Sequence, residues 1–151
     1  MSAGVSLSWR EIPVSLLDEH DLWGRVIARA DGADWEVRFL FRDPCPLLPV
    51  WHGPRLTICP WGNWDKGCPL PRTGWAKQED VRGGRWQGLE LEPVEIPATF
   101  GYDNGIWYLV QGNIQGVLVL GHVYMLTEPA SHYYAVMTRC QRMPLLVGRR
   151  I

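Results

Sequence analysis

A chain of 151 residues, 46% hydrophobic and 21% charged, has a globular composition and the length of one domain with its own core. Its net charge of −1 gives no global pull toward nucleic acid, and no run of about 18 apolar residues marks a membrane span. The N-terminus lacks a basic start followed by an apolar stretch, so no secretory signal is visible and a cytoplasmic protein is expected.

Ser15 to Arg25 reads as a short helix, with Ser15 as N-cap and Leu16, Leu17, His20 and Trp23 on one face. Trp35, Val37, Phe39 and Phe41 alternate with Glu36, Arg38 and Leu40, the pattern of a half-buried strand. Asp43 to Pro54 holds four prolines and reads as a loop, and Arg55 to Cys59 as a short strand. Pro60 to Gly84 is the longest irregular stretch, rich in Gly and Pro, and a loop of that length in a compact domain is usually functional. Glu90 to Ile96 predicts a strand, Asp103-Asn104-Gly105 a turn, and Ile106–Val110, Val117–Leu120 and Val123–Leu126 successive strands. Thr127 is a plausible N-cap with Pro129 in the first turn; Ala130, Tyr133, Tyr134 and Met137 then form one apolar helix face. Leu145 to Val147 suggests a final strand. Strands outnumber helices, so the expected fold is α+β with a largely antiparallel, barrel-like sheet in a single domain, residues 1–151.

Charge is unevenly placed. Trp86 to Glu128 carries five acids and no Lys or Arg, whereas Pro129 to Ile151 carries four Arg and no acid. Arg55, Lys66, Arg72, Lys77, Arg82 and Arg85 outnumber the three acids among them. Folding could gather the two basic stretches on one face, as a nucleic-acid site requires, or leave them as ordinary solvated charge. Nine tryptophans serve either as core or, in the Gly/Pro-rich loops, as base-stacking platforms. The four cysteines, Cys45, Cys59, Cys68 and Cys140, form no C-x-x-C pair and do not cluster with histidines, so neither a metal site nor a cofactor is predicted.

Two segments carry the chemistry. Ile96-Pro97-Ala98-Thr99-Phe100-Gly101-Tyr102-Asp103 lies upstream of Cys140-Gln141-Arg142-Met143-Pro144. The pair resembles the "IPADGFYEW" and "H-x-R-M-P" segments of the SRAP family (SOS-response-associated peptidase domains). Trp61-Gly62 sits where that family has "RWGLIP", Thr73-Gly74-Trp75-Ala76-Lys77 where it has "NARAE", and Leu126-Thr127-Glu128 resembles its "LTTEA" helix start. The resemblance covers Trp51 to Val147 and leaves out the first fifty residues.

The resemblance implies recognition of abasic sites in single-stranded DNA. In the family, a cysteine exposed by removal of the initiator Met attacks the ring-opened sugar and forms a thiazolidine, while asparagine, glutamate and histidine position and protonate the sugar. The same N-terminal group is thought to support self-processing. By this correspondence the candidate catalytic positions are Ser2, Thr73, Asp103 and Cys140, all altered from the family pattern. Removal of Met1 before Ser2 would free an amine with a pKa of about 8, able to form a Schiff base with an aldehyde. A hydroxyl closes the second ring less favourably than a thiol, so weakened crosslinking is expected. The bland alternative for Ser2 is a disordered terminal residue. Asp103 keeps a carboxylate one methylene shorter, against a required reach of about 2.6–3.2 Å; otherwise it is a turn residue. Cys140 cannot copy an imidazole. Flanked by Arg139 and Arg142, it is either an activated thiol or an inert one. Thr73 exchanges an amide for a hydroxyl.

The candidate DNA-binding residues are Trp61, Trp64 and Trp75 for stacking, and Arg72, Lys77 and Arg142 for phosphate. Three readings follow: a single-stranded or abasic DNA binder with weakened chemistry, a non-catalytic module with a protein partner, and an enzyme using Cys140 with Asp103.

Overall fold

The computed structural model describes residues 2–29, 34–84, 86 and 88–148. The first half runs β1 (Gly4–Ser8), α1 (Val14–Glu19), β2 (Val26–Ala28), β3 (Trp35–Leu40), β4 (Leu47–His52), β5 (Arg55–Pro60), β6 (Trp75–Lys77) and α2 (Gln78–Arg82). The second runs β7 (Glu92–Pro97), β8 (Phe100–Asp103), β9 (Ile106–Leu109), β10 (Asn113–Val119), β11 (His122–Pro129), α3 (His132–Thr138) and β12 (Arg142–Pro144). Short 3-10 turns at Trp9–Glu11 and Trp23–Arg25 complete the first fifty residues.

Alternation explains the first sheet, ordered β2-β3-β1-β8-β9. Val5 pairs with Phe39 and Leu7 with Val37, and all four are buried on the inner face. Glu36 points to the opposite face, yet it too is buried, because Ser6 Oγ donates to it at 3.0 Å and Arg38 Nε at 2.7 Å. The hairpin from β8 to β9 turns through Asn104 and Gly105, φ 49° and 84°, the two left-handed positions that select Asn-Gly.

The second sheet is ordered β12-β11-β10-β7-β4-β5, with β6 added in parallel to β11. Leu48, Val50, Ile58, Ile96, Ile114 and Met125 meet Val5, Leu7, Val37 and Phe39 of the first sheet in one cluster, closed by Leu17, Leu22 and Tyr134. The far face carries a smaller cluster of Leu70, Trp86, Val117, Tyr124 and Leu126. Among the described residues neither sheet closes into a barrel. The α+β expectation holds in its coarse form, and the barrel-like detail gives way to two open sheets sharing a core. No helix among these residues is long and apolar enough to cross a membrane.

Several local expectations shift. The segment expected as a loop from Asp43 to Pro54 contains β4, with Pro49 inside it. β4 pairs along its length with β5 but meets β7 in register only at Trp51 and Glu95, so a missing N–H costs little there. Helix α1 starts after Pro13 rather than at Ser15. Thr127 is no N-cap: it pairs with Pro144 inside β11, and Ser131 caps α3 by accepting from Tyr134 N at 3.1 Å. The helix therefore starts later than expected, burying Tyr134 and Thr138 and exposing Tyr133.

Candidate functional site

β1 lies in the middle of its sheet, and that placement draws the N-terminal residues inward. Ala3 N donates to Tyr102 O at 2.6 Å, and Phe41 N donates to Ala3 O at 2.9 Å. Ser2 is fully buried, at 0% exposure. Its hydroxyl lies 3.1 Å from Gly4 O and 3.2 Å from Tyr102 O, and its carbonyl accepts from Trp75 Nε1 at 2.9 Å. The disordered-terminus alternative is thereby removed.

Asp103 ends β8 on the inner face and is buried. Its Oδ2 accepts from Tyr134 OH at 2.7 Å. The Tyr134 hydroxyl lies 3.3 Å from that of Tyr108, and the Ser2 side chain neighbours Tyr108 in turn. A chain of polar groups therefore runs from Asp103 through two phenols to Ser2. The phenol rings meet edge to face, centroids 5.3 Å apart. Gly101 makes room for this: a Cβ there would sit 2.5 Å from the Tyr108 hydroxyl. Burial pushes Tyr108 up to about 12, the polar neighbours Ser2 and Tyr134 oppose it, and Asp103 and Cys140 push the same way as burial. Burial also raises Tyr134 well above the usual phenol range. Both phenols stay protonated at neutral pH and act as donors.

Cys140 follows Arg139, whose left-handed conformation (φ 59°) ends α3. Its thiol reaches Thr138 O at 3.6 Å, and its N–H donates to Thr138 Oγ1 at 3.2 Å. Asn104 Nδ2 donates to Thr138 O at 2.9 Å, tying the β8–β9 hairpin to the same helix end. Thr73 connects to Ser2 through Trp75, whose N–H is 3.4 Å from Thr73 Oγ1. The structure thus joins Asp103 to the two phenols beside Ser2, whereas Thr73 reaches Ser2 only by way of Trp75 and Cys140 is placed by Thr138 at the end of α3. Sequence reading missed Tyr108 and Tyr134, which stand between Asp103 and Ser2.

The candidate DNA contacts separate. Trp61, at 1% exposure, packs edge-on to Phe41 and Trp75 and donates to Gly74 O at 2.8 Å; no base can reach its face, which corrects the stacking expectation. Trp75 is half-buried as a wall beside Ser2. Trp64 is 55% exposed, with its ring 4.8 Å from Phe41. Arg72 and Lys77 are exposed. Arg142 is engaged by protein: it clamps Glu79 through two hydrogen bonds of 2.8 Å and donates to Thr127 O at 2.9 Å, so its guanidinium is not offered to phosphate as expected. Arg85, Arg149 and Arg150, counted in the basic stretches, lie outside the described residues, as does Met1.

The clamp makes a pH prediction. The hydrogen bonds from Arg142 hold the Glu79 carboxyl at about 2, below its ordinary 4.5. A depressed carboxyl contributes stability that is full above 4.5 and lost as pH falls through 2. Glu79 is solvent-exposed, so the amplitude is small and screened by salt. In urea titrations at a series of pH values, wild type and Glu79→Gln are expected to differ above pH 4.5 and converge near pH 2; a gap constant with pH contradicts the clamp.

No protein-family model, curated protein or solved structure matches the chain.

Proposed function

We propose that the chain is a divergent SRAP-like protein that binds single-stranded DNA and engages an abasic site through Ser2. The observation that carries this reading is the buried line of polar groups from Asp103 through Tyr134 at 2.7 Å to Tyr108 at 3.3 Å, with Ser2 at its end: positions 2 and 103 are far apart in sequence and are assigned together by the resemblance. Trp64, Arg72 and Lys77 supply the exposed stacking face and charge for the strand.

In this reading removal of Met1 frees the amine of Ser2, and the buried residue must open to the strand before that amine attacks the aldehyde carbon of the opened sugar. The amine nitrogen gives up both of its protons, and the carbonyl oxygen takes up two and leaves as water, giving an imine. Tyr108 and Tyr134, held protonated, relay these protons from nitrogen to oxygen, and Asp103 accepts and returns one at the far end. The two phenols span the reach that the shortened carboxylate lacks. The Ser2 hydroxyl is a poor nucleophile for closing a second ring, so the imine stays reversible.

Incubation with single-stranded DNA carrying one abasic site, followed by a denaturing gel, tests this. A covalent band is expected only when borohydride traps the imine. Ser2→Cys is expected to give a band without reductant. A reductant-independent band from wild type overturns the account of Ser2. Absence of both a band and native-gel binding overturns the DNA reading and favours the protein-partner module.

A further inference from the structure

The first fifty residues, outside the SRAP resemblance, hold a separate feature. Trp9 lies in the 3-10 turn after β1, Trp23 in the turn before β2, and Trp35 opens β3. With Val26 they line a shallow cavity of about 380 Å³. Trp23 and Trp35 are 45% and 53% exposed, a cost that packing alone does not explain. Among the described residues no ring contact joins any two of the three, so the indoles stand around a gap instead of filling it.

A carboxylate stands behind the Trp23 ring, and a second sits at the Trp35 backbone. Asp18 Oδ1 accepts from Trp23 Nε1 at 2.7 Å. Asp34 accepts from Trp35 N at 2.8 Å and from Ser8 Oγ at 2.7 Å. Two arginines act on Asp34, Arg29 and Arg10, the latter loosely placed at 3.9 Å and largely exposed, so Asp18 is the carboxylate that carries the argument. An indole whose N–H donates to a carboxylate has a more electron-rich face. Such faces attract a cation most strongly when it is weakly hydrated. The Asp18 carboxylate repels phosphate, which argues against a nucleotide strand here.

We propose that Trp9, Trp23 and Trp35 form an aromatic cage for a methylated ammonium group, carried on a lysine side chain of a protein partner. The cage is separate from the Ser2 site, and its occupancy does not depend on DNA chemistry.

The test titrates the full chain with acetylated trimethyllysine amide, followed by tryptophan fluorescence, beside the isostere in which a neutral carbon replaces the nitrogen. Saturable binding about tenfold tighter for the charged ligand is expected. Trp23→Ala and Trp35→Ala should each abolish it while leaving the far-ultraviolet circular dichroism unchanged. Asp18→Asn keeps an acceptor for the Trp23 N–H but removes the charge, and should weaken binding severalfold. Equal affinity for the neutral isostere marks a merely apolar patch and overturns the proposal. So does absence of saturation, or binding that survives Trp23→Ala.

Discussion

Gly62→Ala is expected to be among the most destabilising single-methyl additions in this protein. Gly62 has φ 69°, and a Cβ there would lie 2.1 Å from Thr73 O and 2.7 Å from Gly74 Cα. Both are backbone atoms, so no side chain can swing aside. The left-handed conformation alone costs an alanine about 1 kcal/mol. Relieving the overlap requires the 73–75 segment to move away. That motion strains Asn63 N to Thr73 O at 3.2 Å, Met125 N to Gly74 O at 3.0 Å and Trp61 Nε1 to Gly74 O at 2.8 Å, each worth about 1 kcal/mol. A loss of about 4 kcal/mol consumes much of a typical domain stability of about 5–15 kcal/mol. Gly53→Ala is the control. Gly53 has φ 63°, but its Cβ would meet nothing within 4 Å, so only about 1 kcal/mol is expected. Urea unfolding midpoints at a common slope compare the two. If the two variants lose the same stability, the close approach is not what requires glycine at 62. The consequence reaches the site, because displacing Trp75 withdraws its indole from the Ser2 carbonyl.

The elements legible in the sequence were those whose backbone is determined locally. Asn104-Gly105 dictates a tight hairpin wherever it falls, and the alternation at Val37 and Phe39 needs only one buried face. Pro49 misled because proline argues against a strand, whereas the sparse ladder between β4 and β7 tolerates it. Thr127 misled because Thr before Pro suits a helix start equally well; only the pairing of Thr127 with Pro144, across the chain, makes it a strand residue. Trp61 and Trp64 belong to one Gly/Pro-rich stretch and share its composition. The parallel bridge of Trp61 with Val123 buries one and leaves the other outside. At the site, motif order brought positions 2, 73, 103 and 140 into one frame. The phenols between them were invisible because a tyrosine on an apolar helix face reads as packing until its hydroxyl is placed.

Tyr134→Phe is expected to cost about 1–3 kcal/mol, because it removes the donor at 2.7 Å from a buried carboxylate while leaving the ring packed. Asp103→Asn removes the charge and keeps an acceptor. If the hydroxyl and the carboxylate act as one unit, the double variant loses less than the sum of the singles, with a coupling of about 1.5 kcal/mol or more. Strict additivity dissolves the proposed chain. The alkaline limb supplies an independent readout. Tyr108 has a folded value of about 12 against an ordinary 10.0. A raised phenol contributes stability that is full below 10 and lost as pH rises through 12. Part of that elevation comes from the Asp103 charge, after burial. Asp103→Asn should therefore make stability fall less steeply between pH 10 and 12, a change no purely steric effect of the substitution produces. If the slope is unchanged, Asp103 does not sense Tyr108, and the proton path from the carboxylate to Ser2 loses its middle step. Should both readouts agree with the relay, Tyr134→Phe is also expected to slow imine formation on abasic DNA without weakening binding to intact single strands, since the strand contacts assigned to Trp64, Arg72 and Lys77 lie elsewhere on the chain.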